Sequence, residues 1–272
     1  LNLDYKYAGL QTEAGPGPEN GSGAPREQRL DVYYKFLHDR VQQAAYSLLE
    51  SGEAGRMHLS IGRLIFRNTP AAELDENIFS IVNQYNHGAG SLVTEAGERL
   101  ELVRLNLRAG ARARASTAYQ SALRYLKTGM DLLPEDAWQD HYELAFEIYF
   151  ERGESEYLAG NFDSAGTIYD TLLEKAHSNI ERARIYRTML VLYDAMGRYE
   201  EAIQMGVKGL ALFDMEFPRN PRERRKTIVR GFKSIRQLLG EREVRELIDA
   251  PRTDDPEIVA KMELLITISN VT

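Results

Sequence analysis

The chain has 272 residues, 43% of them hydrophobic, which suffices for a sizeable core in one large domain or two small ones. It contains no cysteine, so disulfides, thiolate nucleophiles and cysteine-ligated zinc or iron–sulfur centres are excluded. A net charge of −7 argues against bulk affinity for nucleic acid. No apolar run is long enough to cross a membrane.

The first part of the chain predicts a small β element. Residues 3–10 and 30–36 are short, tyrosine-rich and partly alternating, which is typical of two paired strands. Residues 11–29 between them are rich in glycine, proline and small polar residues that bury little apolar surface. We therefore expect a β-hairpin with a flexible loop, in an N-terminal unit that spans residues 1–52. The start L-N-L-D-Y-K-Y has neither an initiator methionine nor a signal-peptide pattern, and we expect a cytoplasmic piece of a longer protein.

From Asp39 onward the apolar period changes from two to 3.6, as expected for helices. The first helix has an apolar stripe on one face: Val41, Ala44, Ala45, Leu48 and Leu49. Further helices are predicted at 55–67, 75–86, 94–109, 112–133, 136–159, 162–177, 179–196, 199–216, 221–239 and 255–269. Ser178 to Glu181 predicts a capping box, and Asp255-Pro256 predicts an N-cap. The chain is thus predicted to be mostly α, with a helical unit over 53–272.

Two segments of the helical unit repeat. Y-L-A-G-N-F-D-S-A at 157–165 matches D-A-M-G-R-Y-E-E-A at 194–202, with Gly160 and Gly197 placed 37 residues apart. A weaker copy is predicted 50 residues upstream, where Gly110 aligns with Gly160. A glycine that ends one helix, an aromatic residue two positions later and a small alanine are typical of an antiparallel helix pair. Stacked pairs of this kind predict a solenoid with a concave surface.

The G-x-[FY]-x-x-A pattern resembles the tetratricopeptide repeat. The segments F-L-H-D-R-V-Q-Q-A-A-Y, H-L-S-I-G-R-L, E-R-L-E-L-V-R-L-N-L-R-A-G and A-S-T-A-Y-Q-S-A-L-R-Y resemble the region after the nucleotide-binding core of STAND-type signal-transduction ATPases. Proteins of that family join a serine/threonine kinase, an ATPase, helical repeats and a histidine kinase. The resemblance implies that the hairpin ends a winged-helix-like subdomain, and that the ATP-binding and kinase domains of a two-component signalling protein lie outside this chain.

H-D-R at residues 38–40 has two interpretations. His38 beside a carboxylate and a guanidinium suggests a phosphotransfer or acid/base site. Adjacent helical residues point about 100° apart, however, so His38 and Asp39 do not naturally share a site. The structural interpretation is favoured, and phosphotransfer through His38 stays an alternative.

The basic run over 219–236 predicts an amphipathic helix with the apolar stripe Ile228, Phe232, Ile235 and Leu239. Its basic face could bind nucleic acid, acidic lipid or an acidic protein segment, although a solvated surface is favoured in so acidic a chain. The five histidines show no metal-binding spacing, and no cofactor is expected.

These patterns favour a non-catalytic scaffold that couples domains of a signalling protein. The first helices of stacked repeats line the concave side, which predicts a partner-binding face made of Glu147, Glu154, Tyr157, Arg184, Arg187 and Asp194. The expected partner is a protein or a neighbouring domain, with neither nucleic acid nor a membrane.

Overall fold

The computed structural model describes residues 44, 47, 52–216, 220–243, 245–246 and 253–271. These residues are mostly helical, and no strand occurs among them. The predicted β-hairpin, its loop and His38 lie outside the described residues, and the division into units at residue 52 stays a prediction. Ala44 is helical as expected, but it is exposed, whereas its stripe was predicted to be buried.

Ten longer helices occur in the described ranges. They are α1 (Glu53–Asn68), α2 (Leu74–Asn86), α3 (Ala96–Ala115), α4 (Tyr119–Leu132), α5 (Tyr142–Leu158), α6 (Phe162–Lys175), α7 (Asn179–Ala195), α8 (Tyr199–Ala211), α9 (Pro221–Leu239) and α10 (Pro256–Ser269). Short helical turns at Ala71–Glu73, Ala89–Leu92 and Ala137–Asp140 lie in the connections. No helix in the described ranges is both long and apolar enough to span a bilayer.

The predicted helix caps are confirmed. Ser178 Oγ accepts a hydrogen bond from the Glu181 N–H at 3.2 Å, and the Glu181 carboxylate accepts one from the Ser178 N–H at 2.9 Å. The Asp255 carboxylate accepts a bond from the Glu257 N–H at 2.9 Å, and Pro256 begins α10. These bonds satisfy N–H groups that a helix start leaves without an intrahelical partner.

Consecutive helices pack in pairs: α1 with α2, α3 with α4, α5 with α6, and α7 with α8. Connections of only three residues in the last three pairs force the chain to reverse, so their helices are antiparallel. Each pair also packs on the next, through α2 on α3, α4 on α5 and α6 on α7, and α10 packs on α7 and α8.

One turn geometry closes the last three pairs. Thr117, Gly160 and Gly197 have φ values of 59°, 81° and 70°. Each donates its N–H to the carbonyl three residues earlier, and the following residue donates to the carbonyl five residues earlier. The third repeat copy predicted from Gly110 is therefore out of register. T-A-Y-Q-S-A at 117–122 is the segment that matches G-N-F-D-S-A, and the predicted helix break near Gly110 is wrong.

In each of these three pairs, one glycine lets a large side chain of the partner helix approach the backbone. The pairs are Gly110 with Leu126, Gly153 with Tyr169, and Gly206 with Leu190. A Cβ atom added at Gly153 would lie 2.7 Å from Cε1 of Tyr169, closer than carbon atoms normally approach. The glycine lies on the first helix in two pairs and on the second helix in the last pair.

Three clusters of buried side chains form the core. The first joins α1 to α4 and reaches Ile148 on α5, the second joins α5 to α8, and the third surrounds Leu264 where α10 packs on α7 and α8. Tyr149 contacts both the first and second clusters, so the core continues from pair to pair. α9 contributes no side chain to these clusters.

Candidate interaction surface

Charged side chains connect the first helices of neighbouring pairs. Arg114 on α3 donates two hydrogen bonds to the Glu151 carboxylate on α5, at 2.9 and 3.0 Å. The same guanidinium lies 3.3 Å from the carboxylate of Glu154, one helical turn further along α5. The two-pronged geometry fixes the relative position of α3 and α5.

The same kind of bond continues to α7. Arg184 donates to both oxygens of Glu147 at 2.6 and 3.2 Å, and its guanidinium carbon lies 3.7 Å from the centre of the Phe150 ring. Arg187 Nε lies 3.5 Å from the Glu263 carboxylate on α10. The charged face is defined here as Arg114, Glu147, Glu151, Glu154, Arg184, Arg187 and Glu263.

Electrostatics distinguish Glu154 from the other carboxylates of the charged face. Burial raises its pKa, and the nearby negative charge of Glu151 raises it further. Arg114, Arg184 and Arg187 act in the opposite direction, so Glu154 senses charges from both α3 and α7. Glu154 is therefore a desolvated carboxylate whose neighbours only partly compensate its charge.

A buried hydroxyl lies next to this carboxylate. Tyr169 on α6 packs against Gly153, and its hydroxyl has no hydrogen-bond partner within the described part of the chain. Burial raises the pKa of Tyr169, the charge of Glu154 raises it too, and that of Arg114 lowers it, which indicates that the hydroxyl lies near the charged face. A buried hydroxyl without a partner costs about 1–3 kcal/mol.

The structure brings together four of the six predicted site residues, namely Glu147, Glu154, Arg184 and Arg187. Tyr157 is half-buried and packs on Phe162 at 6.1 Å between ring centres, with no hydrogen bond to the charged face among the described residues. Asp194 stands apart as well. One oxygen of its carboxylate is buried without a hydrogen-bond partner in the described ranges, as is Arg187 Nε.

Sequence reasoning missed Arg114, Glu151 and Glu263. In the register set by Thr117, Gly160 and Gly197, Arg114 is equivalent to Tyr157 and Asp194, which were both predicted. The correct repeat alignment would therefore have found Arg114. Glu263 carries no such signal, because α10 is not a repeat copy and meets α7 only through tertiary packing.

The basic run forms α9, as predicted. The Asn220 side chain caps it by accepting a hydrogen bond from the Arg222 N–H at 2.9 Å. Every described side chain on α9 is exposed except that of Leu239. No group of three or more metal-binding side chains with suitable geometry occurs among the described residues.

No family model matches the chain. Over 203 residues it is 31% identical to hybrid signal transduction histidine kinase G of Dictyostelium discoideum. The match covers 66% of this chain but only 6% of that protein, so the chain corresponds to a small part of its relative. The chain is thus similar to one segment of a signalling protein.

Proposed function

We propose that this chain is a tetratricopeptide-like scaffold of a STAND-type multidomain signalling protein, and that it acts without catalysis by contacting a protein partner or a neighbouring domain. The similarity to a segment of a hybrid histidine kinase supports the signalling context. The three copies of the same interhelical turn and the packing of each helix pair on the next support the repeat architecture.

The observation that carries the proposal is the incomplete pairing around the charged face. Tyr169 Oη, Arg187 Nε and the Asp194 carboxylate are buried polar groups with atoms that lack hydrogen-bond partners in the described part of the chain. Most buried polar groups in folded proteins are paired, so atoms of this kind mark a place where a bound partner supplies the missing bonds.

The charges of the face restrict the chemistry of that partner. Its seven residues comprise three arginines and four glutamates, and each arginine already contacts a carboxylate. A surface with both signs suits a polar peptide or domain face that also carries both signs, because a polyanion would be repelled by the glutamates. Kinase and ATPase activities would then belong to other domains of the complete protein.

Site-specific photo-cross-linking in the complete protein tests this proposal. A photoreactive amino acid at Val191, which lies on the same side of α7 as Arg187 and is 37% exposed, should cross-link to the partner. The variant Arg184→Glu/Arg187→Glu should reduce that cross-link strongly, since it reverses the charges that the partner meets. Circular dichroism would verify that the variant is folded.

The matched control Lys127→Glu/Lys208→Glu makes the same charge change at two exposed lysines on α4 and α8, and it should leave the cross-link intact. Equal cross-linking by wild type and the Arg184→Glu/Arg187→Glu variant would refute the proposed role of the charged face. Cross-links formed only from a photoreactive residue at position 208 would refute it as well.

A second candidate function is phosphotransfer through His38, which the name of the relative favours. Incubation with acetyl phosphate or a cognate kinase should then produce an acid-labile phosphate on the wild-type chain. His38→Gln would remove that phosphate without changing stability. A chain that stays unmodified under these conditions would leave the scaffold as the supported function.

A further inference from the structure

α9 carries an apolar surface that the core does not use. Ile228, Phe232 and Ile235 are 59%, 70% and 54% exposed, although large apolar side chains are normally buried. The helix is 19 residues long and belongs to none of the three core clusters described above. Exposed apolar side chains grouped on one element indicate an interaction site.

The spacing of these side chains defines the shape of the surface. Ile228, Phe232, Ile235 and Leu239 follow one another at steps of four, three and four residues. Steps that average 3.5 residues produce a narrow seam, as in helices that pack side by side in a coiled coil. We call these four residues the α9 seam. Arg225 and Arg236 lie one helical turn from seam residues and border it with positive charge.

We infer that α9 docks an amphipathic helix of a protein partner whose own apolar seam is flanked by glutamate or aspartate. Two helices with matching seams would bury Phe232 and its neighbours against each other. Acidic residues beside the partner's seam would face Arg225 and Arg236, in the way that flanking charges select partners in coiled coils. This surface is separate from the charged face, so the inference does not depend on the proposed function.

The alternative occupants fit the geometry less well. Nucleic acid would pair with the basic side chains but leave the seam exposed to water. A second copy of α9 would bring the arginines that border each seam towards one another, which is unfavourable.

Charge distribution also disfavours a membrane surface. α9 contains seven basic residues and one acidic residue, and the whole chain has a net charge of −7, so the rest of the chain carries −13. An anionic bilayer is an extended surface that would meet this acidic remainder as well as the helix. A single acidic partner helix covers α9 alone. Helices that lie in a bilayer surface also need a broad apolar face, whereas the α9 seam is narrow.

Fluorescence anisotropy with the full 272-residue chain and designed probe peptides tests the inference. The probe is a labelled three-heptad peptide with leucine and isoleucine in its seam and glutamate at the flanking positions. A control peptide has the same seam with lysine at the flanking positions. The glutamate peptide should bind, its affinity should fall with added salt, and the lysine peptide should bind at least about tenfold more weakly.

Two variants locate the binding on α9. Phe232→Ser/Ile235→Ser should weaken binding of the glutamate peptide by about tenfold or more, because both side chains leave the seam. Since both positions are exposed, the variant should keep the helical circular-dichroism signal. The matched control Ile203→Ser/Ile266→Ser changes two other exposed isoleucines, which are 44% and 56% exposed, and it should bind like wild type.

Charge reversal provides a second, independent readout. Arg225→Glu/Arg236→Glu should exchange the preference, so that the lysine peptide binds more tightly than the glutamate peptide. Equal binding of both peptides to the wild-type chain, or no binding of either, would overturn the inference. So would seam-dependent binding to phosphatidylserine vesicles or duplex DNA in place of the peptide, or seam-dependent dimers in sedimentation velocity.

Discussion

At the scale of single residues, Glu154 and Glu98 show how the fold decides the cost of a charge. Each carboxylate lies beside an arginine. Arg63 donates two hydrogen bonds of 2.6 Å to Glu98, and these bonds hold the pKa of Glu98 below its usual range. Burial dominates at Glu154 and raises its pKa. Ionised Glu98 therefore stabilises the fold, whereas ionised Glu154 destabilises it.

Replacement of each carboxylate by its amide should reveal the opposite signs. At pH 7, Glu154→Gln should raise the free energy of unfolding, because Arg114 keeps Glu151 and the buried charge is removed. Glu98→Gln should lower it by roughly 0.5–1 kcal/mol through the lost charge-assisted bonds. The stability from Glu98 is complete above its unfolded pKa and is lost as the pH falls through its lowered folded pKa.

The penalty from Glu154 disappears as the pH falls through its raised folded pKa towards the unfolded value. Both variants should therefore approach wild type in acid, which urea unfolding followed by circular dichroism at several pH values would measure. Effects of the same sign at pH 7 would contradict these assignments.

Tyr169 offers a second test at this scale. Its hydroxyl is buried without a partner in the described ranges, so Tyr169→Phe removes an unpaired polar group without changing the shape of the ring. The variant should be as stable as wild type or more stable by up to about 1 kcal/mol. A loss of more than that amount in thermal unfolding would show that the hydroxyl is hydrogen-bonded in solution. Tyr149→Phe, at a partly buried tyrosine in the same core, is a suitable comparison.

At the scale of helices, the pairs depend on close approach at one position. Tyr169 passes over Gly153, where a methyl group would lie 2.7 Å from one ring carbon and 3.0 Å from another. Gly166 lies in α6, and nothing lies within 4 Å of a Cβ atom added there. The two glycines therefore make opposite contributions to stability.

Gly153→Ala should lower the free energy of unfolding by about 1–3 kcal/mol through overpacking. Gly166→Ala should raise it by about 0.5–1 kcal/mol, since alanine favours the helix and meets no neighbour. Chemical denaturation of the two variants side by side measures both effects. A stabilising Gly153→Ala would mean that α5 and α6 separate without cost.

The interhelical turns make a further prediction. Thr117 has a φ of 59°, in the left-handed region where the equivalent residues are Gly160 and Gly197. A β-branched residue is strained in this conformation, by about 1–2 kcal/mol. Thr117→Gly should therefore raise stability by about 0.5–1 kcal/mol after the larger entropy of the unfolded chain is subtracted. Gly160→Thr should lower it by about 1–2 kcal/mol, and thermal unfolding that shows no difference between the two would count against a shared turn geometry.

At the scale of the whole molecule, the helix pairs form a continuous packed array and α9 lies beside it. α3 and α4 are packed on both sides, by α2 and by α5, whereas the side chains described on α9 are almost all exposed. Local opening costs most where the most apolar surface is buried. Stability should thus be highest in α3 and α4 and lowest in α9.

Hydrogen exchange followed by mass spectrometry would measure this order. Amides of α9 should exchange orders of magnitude faster than those of α3 and α4, because only bonds within the helix protect them. Gly231→Ala, at a position where an added Cβ atom meets nothing within 4 Å, should slow exchange in α9 without affecting α3. Protection of α9 equal to that of α3 would show that its apolar seam is packed within the chain.

Helix positions, caps and the repeated turn of the last two pairs were largely predictable from the sequence. Apolar period, the capping box at Ser178 and the prolines at helix starts depend on interactions between residues a few positions apart. The same locality explains the one misplaced break. Gly110 looked like a helix end because glycine is a poor helix former, yet it is buried against Leu126 inside α3.

Only the tertiary structure decided which charged residues meet. Arg114 and Glu151 are 37 residues apart, as are Glu147 and Arg184, and the repeat length by itself does not state which side chains share a face. The turn at Thr117 was also hidden, because the packing of α3 on α4 holds a residue in a conformation that its local preference opposes. The sequence alone determined where the helices are, since helix formation is local, and packing determined the charged face, since its bonds join residues that are distant in the chain.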